Sequence, residues 1–147
     1  MTHFYRLDEA NECLGELEPI LLALRDQRSE LIRLRDSVLE SDPDVRPTSE
    51  PGGTSGGRPD RPAAADPELR LIRLRMQGLI DQMQAGVARI DELDIVLRDI
   101  ETGLIDFPAL VSGRQVWLCW RLGEPRIGWW HELTTGVAGR HAIIDLA

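Results

Sequence analysis

Six polar residues whose side chains could ligate a metal, react or bind an anion lie close together in the C-terminal third of the sequence. They are Asp106, Cys119, Glu124, His131, Glu132 and Arg140. Thiol, imidazole and carboxylate groups are ligands that zinc takes in proteins, so these residue types are compatible with a transition-metal site. A thiol beside an imidazole is equally the pair needed for a cysteine nucleophile with a histidine base. No phosphate-binding glycine loop, HExxH or paired CxxC motif occurs, so no motif decides between these chemistries.

The spacing of these residues predicts that a β-hairpin positions them. Two tryptophan-rich segments with the alternating pattern of strands flank the turn-like sequence GEPR. If GEPR forms a four-residue loop, Cys119 lies opposite Trp130, and Cys119 and His131 point to opposite faces of the sheet. A three- or five-residue loop would bring these two residues onto one face, because a shift of one residue reverses every side chain of a strand. The register therefore decides whether a metal site or a catalytic pair can form.

Each of these residues also has a simpler structural interpretation. Free cysteine usually behaves as a small buried hydrophobe, which is the favoured interpretation of Cys119. His131 is interpreted first as a core or interface histidine bonded to a neighbour. The four tryptophans are interpreted mainly as sheet core and helix contacts, although some of so dense a set would line a ligand groove or an interface.

The elements that must hold this hairpin follow from composition and periodicity. Residues 1–40 have helical spacing of apolar side chains, with a kink expected near Pro19 because proline lacks a backbone donor. Residues 41–66 are rich in proline and glycine and predict a disordered linker. Residues 67–93 predict a second helix, which starts at Asp66-Pro67 with an acidic cap and proline in the first turn. Residues 94–147 predict a small antiparallel sheet and a C-terminal tail, and 94–100 is compatible with helix or strand. We expect the whole chain to form one domain.

A heptad pattern in the second helix predicts that the two helices pack as a coiled coil. Apolar residues recur every seven positions at Leu69, Met76, Met83, Ile90 and Leu97. Gly86 interrupts the seam and either admits a close partner or weakens the helix. Two helices alone leave much of their apolar stripes exposed, so a homodimer is expected.

Composition excludes several functional classes. The chain has 147 residues, with 17 arginines and no lysine against 25 acidic residues, which gives a net charge of −8. Such an acidic balance argues against a nucleic-acid partner. No stretch approaches the roughly 20 apolar residues of a membrane span, and MTHFYRLDEA lacks the apolar core of a signal peptide, so we expect no membrane partner and a cytoplasmic location.

Several segments resemble a known family. LDEANECL, ETGLIDFPAL, VWLCWRLGE, IGWWHEL and GVAGRHAI are similar to small uncharacterised prokaryotic proteins catalogued as domain of unknown function 2203. The resemblance covers both ends of the chain and skips residues 41–66, which are longer than is usual in relatives and are interpreted as a tolerated loop. The resemblance supports the predicted fold and implies no activity.

The sequence thus predicts an α+β fold: a long antiparallel helical hairpin followed by an antiparallel sheet of three to four strands. The favoured function is a non-enzymatic, oligomeric binding or protein-interaction module with no cofactor and with a protein or small-molecule partner. Its recognition surface would comprise Asp106, Trp117, Trp120, Arg121, Trp129, Trp130, His131, Glu132 and Arg140. The alternative is a metal- or cofactor-binding protein, for example for zinc, that uses Cys119, His131, Glu132 and Asp106. A third hypothesis is a coiled-coil scaffold for another protein.

Overall fold

The computed structural model describes residues 1–41 and 66–145 as two helices followed by a five-stranded antiparallel sheet. The helices are α1 (Leu7–Ser41) and α2 (Pro67–Glu92), and the strands are β1 (Val96–Asp99), β2 (Leu104–Val111), β3 (Arg114–Arg121), β4 (Trp129–His131) and β5 (His141–Ala142). Two short 3₁₀ turns, Val137–Gly139 and Ile143–Asp145, flank β5. Strands are hydrogen-bonded in chain order, each antiparallel to the next. The predicted α+β class is confirmed, whereas the prediction of three to four strands was too low.

The α2 helix ends one residue before its predicted end at 93, whereas α1 starts at Leu7 and not at residue 1. The α1 helix continues across Pro19 and is not split there. At the start of α2, Oδ1 of Asp66 accepts a hydrogen bond from the backbone N–H of Glu68 at 3.0 Å, which is the predicted acidic cap. Residues 94–100, which were ambiguous in sequence, contain strand β1. Apart from its terminal residues Ser41 and Asp66, the predicted linker 41–66 lies outside the described residues.

The chain divides into two compact units. Unit 1 comprises Met1–Asp26 and Met83–Ala147, and unit 2 comprises Gln27–Gln82. In unit 1 the two helix segments run antiparallel, with Arg89 bonded to Glu16 at 2.6 Å. In unit 2 Arg75 pairs with Glu30 at 2.8 Å. No helix among the described residues is long and apolar enough to cross a membrane.

The core of unit 1 lies between the helices and one face of the sheet. Its buried side chains are Tyr5, Ala10, Leu17, Leu21, Leu24, Ile90, Ile95, Ile105, Phe107, Ala109, Val116, Leu118, Trp120, Ile127 and Trp130. Gly86 lies in this core, where a Cβ would come 3.2 Å from Cδ2 of Leu24. The glycine in the heptad seam therefore makes room for a side chain of α1.

The longest strands, β2 and β3, are joined by a two-residue turn. Ser112 and Gly113 both have positive φ, 53° and 76°, as a type I′ hairpin turn requires. The β2 strand continues past Pro108. The carbonyl oxygen of Pro108 accepts a hydrogen bond from the backbone N–H of Tyr5 at 2.7 Å. The backbone nitrogen of Pro108, which has no hydrogen to donate, therefore faces Tyr5 and not β3.

Candidate functional site

The structure decides the register of β3 and β4 that the sequence left open. Cys119 pairs with Trp129 and Trp117 pairs with His131, one residue away from the register that a four-residue loop would give. The connection runs from 122 to 128 and is not the four-residue loop expected from GEPR. One physical reason is that the backbone N–H of Ile127 donates to Oδ1 of Asn11 at 2.8 Å, which holds Ile127 away from a pairing with β3.

This register places Cys119 and His131 on the same face of the sheet. In the neighbouring pair of strands Asp106 lies directly opposite Cys119. All three residues are buried: Asp106 is 1% exposed, Cys119 is 0% exposed and His131 is 3% exposed. One ligand atom from each lies within 4.8 Å of the other two. The fourth residue of the predicted metal set, Glu132, instead binds Arg114 at 2.6 Å.

Arg98, which the sequence analysis missed, completes the cluster. The register between β1 and β2 shifts between Leu97 and Asp99, and such a bulge can re-aim a side chain. Nε of Arg98 donates to Oδ2 of Asp106 at 2.8 Å. The guanidinium carbon lies 5.1 Å from the ring centroid of Trp117. The only signal in the sequence was an arginine within IVLRDI, a segment whose one other polar residue is Asp99.

Hydrogen bonds fix the orientation of the His131 ring. Nδ1 lies 2.8 Å from the backbone carbonyl oxygen of Glu132. A carbonyl oxygen only accepts, so Nδ1 carries a proton. Nε2 lies 2.9 Å from Oδ2 of Asp106. Either a proton is shared between Nε2 and Asp106, or the Nε2 lone pair is available to a metal ion.

Burial determines the protonation state of the Cys119 thiol. It raises the pKa of the thiol to about 12, and the nearby negative charge of Asp106 acts in the same direction. A thiol with that pKa is protonated at neutral pH, while catalytic cysteines depend on a thiolate. The arrangement therefore argues against a cysteine nucleophile, because the apolar surroundings oppose its ionisation.

One oxygen of Asp106 is left for a ligand. Oδ2 accepts a hydrogen bond from Arg98 and lies 2.9 Å from Nε2 of His131, whereas Oδ1 has no hydrogen-bond partner within the described part of the chain. A buried carboxylate oxygen without a partner is costly, and such groups in folded proteins usually have a protein, water or ion partner.

A cavity of about 310 Å³ adjoins the cluster. Asp106 and His131 line it on the sheet side, together with Arg98 and Leu104. The segment after β4 forms the rest of the wall, with Leu133, Thr134, Thr135, Gly136 and Val137. Cys119 is not part of the lining, so the Asp106 and His131 side of the cluster faces the cavity.

The other residues of the predicted recognition surface are dispersed. Trp120 and Trp130 are buried in the core on the opposite face of the sheet. Trp129 is 38% exposed, and its ring centroid lies 5.0 Å from the guanidinium carbon of Arg140. Arg140 also binds Glu124 at 2.7 Å, and Arg121 is exposed. These tryptophans therefore do not form one continuous surface.

Comparisons with known proteins identify the family of the chain but no activity, ligand or partner. A family model described as Uncharacterized conserved protein (DUF2203) matches residues 3–143, a range that includes every residue of the cluster. No curated protein and no solved structure matches the chain.

Proposed function

The chain belongs to the family of uncharacterized conserved proteins DUF2203, whose description assigns no activity, and we propose from the site itself that it binds zinc through Asp106, Cys119 and His131. The observation that carries the proposal is the convergence of three buried ligand atoms of different chemistry within 4.8 Å. Tetrahedral zinc with bonds of about 2.0–2.3 Å holds its ligand atoms roughly 3.3–3.8 Å apart, so a small contraction of the cluster suffices.

The hydrogen bonds around the cluster support this assignment. Metal-ligating histidines usually donate their second ring N–H to a carbonyl or carboxylate, and His131 donates Nδ1–H to Glu132. Arg98 holds Oδ2 of Asp106 and leaves Oδ1 for the ion. A zinc ion would thereby satisfy the buried oxygen that lacks a partner.

The charges of the cluster also suit a divalent cation. A thiolate and a carboxylate neutralise Zn²⁺, whereas each buried anion alone would be costly. Sulfur and nitrogen ligands favour zinc over magnesium or calcium, which prefer oxygen. The protonated thiol must lose its proton when the metal binds, which zinc achieves in other buried thiol sites.

Cobalt substitution tests this proposal. Co²⁺ takes the place of Zn²⁺ in tetrahedral sites, and a thiolate ligand gives it a characteristic charge-transfer absorption. We expect the wild-type chain to take up one Co²⁺ with this band and to release it when zinc is added. Cys119→Ser and His131→Gln should each abolish the band.

The second cysteine provides a matched control. Cys13 lies in α1, is partly buried and is outside the cluster. Cys13→Ser should keep the full cobalt spectrum. A wild-type chain that gives no thiolate band, or a Cys119→Ser chain that keeps it, would reject the zinc site.

Self-association is a second candidate, and it retains the homodimer expected from the sequence. In unit 2, Leu71 and Leu74 of α2 are 66% and 62% exposed. Exposed leucines one helical turn apart form the kind of apolar stripe that a second copy of the chain would cover.

Sedimentation velocity tests the self-association. The wild-type chain should sediment as a dimer, and the double variant Leu71→Gln, Leu74→Gln should shift to monomer. Leu110→Gln is the control, since Leu110 is similarly exposed but lies in the sheet of unit 1. A wild-type monomer at micromolar concentration would reject the dimer.

A further inference from the structure

The cavity beside the cluster has one cationic side chain with unused donors. Arg98 contacts Asp106 through Nε and stacks near the Trp117 ring, and its two Nη groups make no hydrogen bond to the part of the chain that the structure describes. Arg98 is partly exposed and lines the cavity. The planar guanidinium matches the two oxygens of a carboxylate in a bidentate geometry.

The coordination chemistry of the proposed zinc site leaves one position open. Asp106, Cys119 and His131 supply three ligands, and zinc that keeps a fourth, exchangeable position is typical of sites that bind a small molecule. Asp106 and His131 line the cavity and Cys119 does not, so the fourth position faces the cavity. Zinc with a thiolate and a carboxylate is neutral, and Arg98 then adds one positive charge.

The remaining walls of the cavity are apolar or hydroxylic. Leu104, Leu133 and Val137 line it together with Thr134 and Thr135. A volume of about 310 Å³ corresponds to roughly ten water molecules in the liquid, which is the size of a small organic acid. The single positive charge matches a monoanion, and the leucine and valine side chains match a short hydrocarbon tail.

We propose that the cavity binds a small monocarboxylic acid, with its carboxylate on the metal and on the Nη groups of Arg98, and its tail against Leu104, Leu133 and Val137. This inference rests on the proposed zinc site, because the carboxylate needs the open coordination position. The chain would then be a metal-dependent receptor for a short-chain organic acid.

Titration of the Co²⁺-loaded protein with butyrate tests the inference. The visible spectrum should change saturably, because a new ligand alters the cobalt coordination. Acetate should need a roughly tenfold higher concentration, since it lacks two methylene groups that butyrate buries against the leucines. Inorganic phosphate should need a still higher concentration than acetate, because its second negative charge has no cationic partner in the cavity.

Two variants probe the cavity without removing a metal ligand. In the cobalt-loaded protein, Arg98→Gln should weaken butyrate binding at least tenfold. Val137→Asp, at a partly exposed wall position, should have the same effect because it places a negative charge beside the carboxylate. The second variant keeps the test valid if Arg98→Gln disturbs metal loading through Asp106.

The outcomes separate this inference from the zinc proposal. A chain that takes up no cobalt overturns both. A chain that gives the thiolate band but no spectral response to butyrate overturns the carboxylate site alone. Tighter binding of phosphate than of butyrate overturns the ligand class, and unchanged butyrate binding in both cavity variants overturns the assigned position.

Discussion

Asp106 is the residue on which the candidate site depends most. Its Oδ2 accepts a hydrogen bond from Arg98, while its Oδ1 is left for the ion. A carboxylate that binds the metal itself should contribute more to affinity than a group that only orients a ligand, which is typically worth a factor of about 10–100.

Asp106→Asn should therefore weaken zinc binding by at least about 100-fold. The amide keeps the size of the side chain but removes the charge that attracts the ion and Arg98. Competition with a chromophoric chelator measures the affinity. Asp94→Asn is the matched control, since Asp94 lies outside the cluster and its φ of 60° suits asparagine. Equal affinities in the two variants would contradict the role of Asp106.

Tyr5 gives a prediction that is independent of any ligand. Its hydroxyl donates to the carbonyl of Leu93 at 2.5 Å, and its ring packs edge-on against Phe107. Burial raises the pKa of Tyr5 to about 12, from an ordinary value of 10.0. Because the folded state disfavours tyrosinate, Tyr5 contributes a stabilisation that is complete below pH 10 and decreases as the pH rises towards 12.

Ultraviolet titration can measure this pKa directly, because Tyr5 is the single tyrosine of the chain. The tyrosinate absorbance of the folded protein should reach its midpoint near pH 12, and that of the chain in denaturant near pH 10. A Tyr5→Phe chain should show no such transition, and its stability should decrease less steeply above pH 10. A midpoint near 10 in the folded protein would disagree with a buried hydroxyl.

The residues of the site could be predicted from the sequence, but their arrangement could not. Asp106, Cys119 and His131 stood out because their side chains are ligand types in one short region. Whether their side chains meet depends on how β3 and β4 are paired, because a shift of one residue moves a side chain to the other face. That pairing depends on the contact between Asn11 and Ile127, which are distant in sequence. Arg98 was missed because only the bulge at Leu97–Asp99 directs it to Asp106.

At the scale of elements, the helices were more predictable than the strands. The Asp66 cap placed the start of α2, and the β-branched residues of IVLRDI placed its end within one residue. The strands β1 and β5 have only four and two residues, too few for alternation to be recognised. Pro108 lies inside β2, and its tolerance there depends on the contact with Tyr5.

The turn between β1 and β2 gives a prediction at this scale. Gly103 has a φ of 66°, and a Cβ added there would lie 2.5 Å from Cβ of Leu122. Gly113, in the turn between β2 and β3, has a φ of 76° and no atom within 4 Å of such a Cβ. Both alanine variants incur backbone strain of about 1–2 kcal/mol, and Gly103→Ala adds a steric overlap of about 1–3 kcal/mol.

Urea denaturation of the two variants measures the difference. Gly103→Ala should lower the free energy of unfolding by more than Gly113→Ala does, by at least about 1 kcal/mol. Equal losses would show that Leu122 moves aside at no cost, which the close Cβ contact does not allow.

At the scale of the whole molecule, the candidate site and the hydrophobic core belong to a single unit. Every buried residue of the core cluster, and every residue of the metal cluster and its cavity, lies in unit 1. Unit 2 contributes the exposed leucines that we assign to self-association. The two proposed properties should therefore be separable.

A shortened chain tests this separation. Replacement of Gln27–Gln82 by a short glycine-rich turn should leave a folded, monomeric protein that binds zinc as the full chain does. Gln27 and Gln82 are hydrogen-bonded at 3.3 Å, so a short connection can span the positions. Circular dichroism checks the fold and a cobalt titration checks the site. A folded short chain without metal affinity would mean that unit 2 takes part in the site.

The most direct test of the central claim is a native mass spectrum of the full chain, purified without chelator and supplied with zinc. We expect an added mass of one zinc ion per chain, absent from the Cys119→Ser and Asp106→Asn variants and retained in Cys13→Ser. A wild-type spectrum without added metal, or one with the same metal content in all four proteins, would contradict the zinc site.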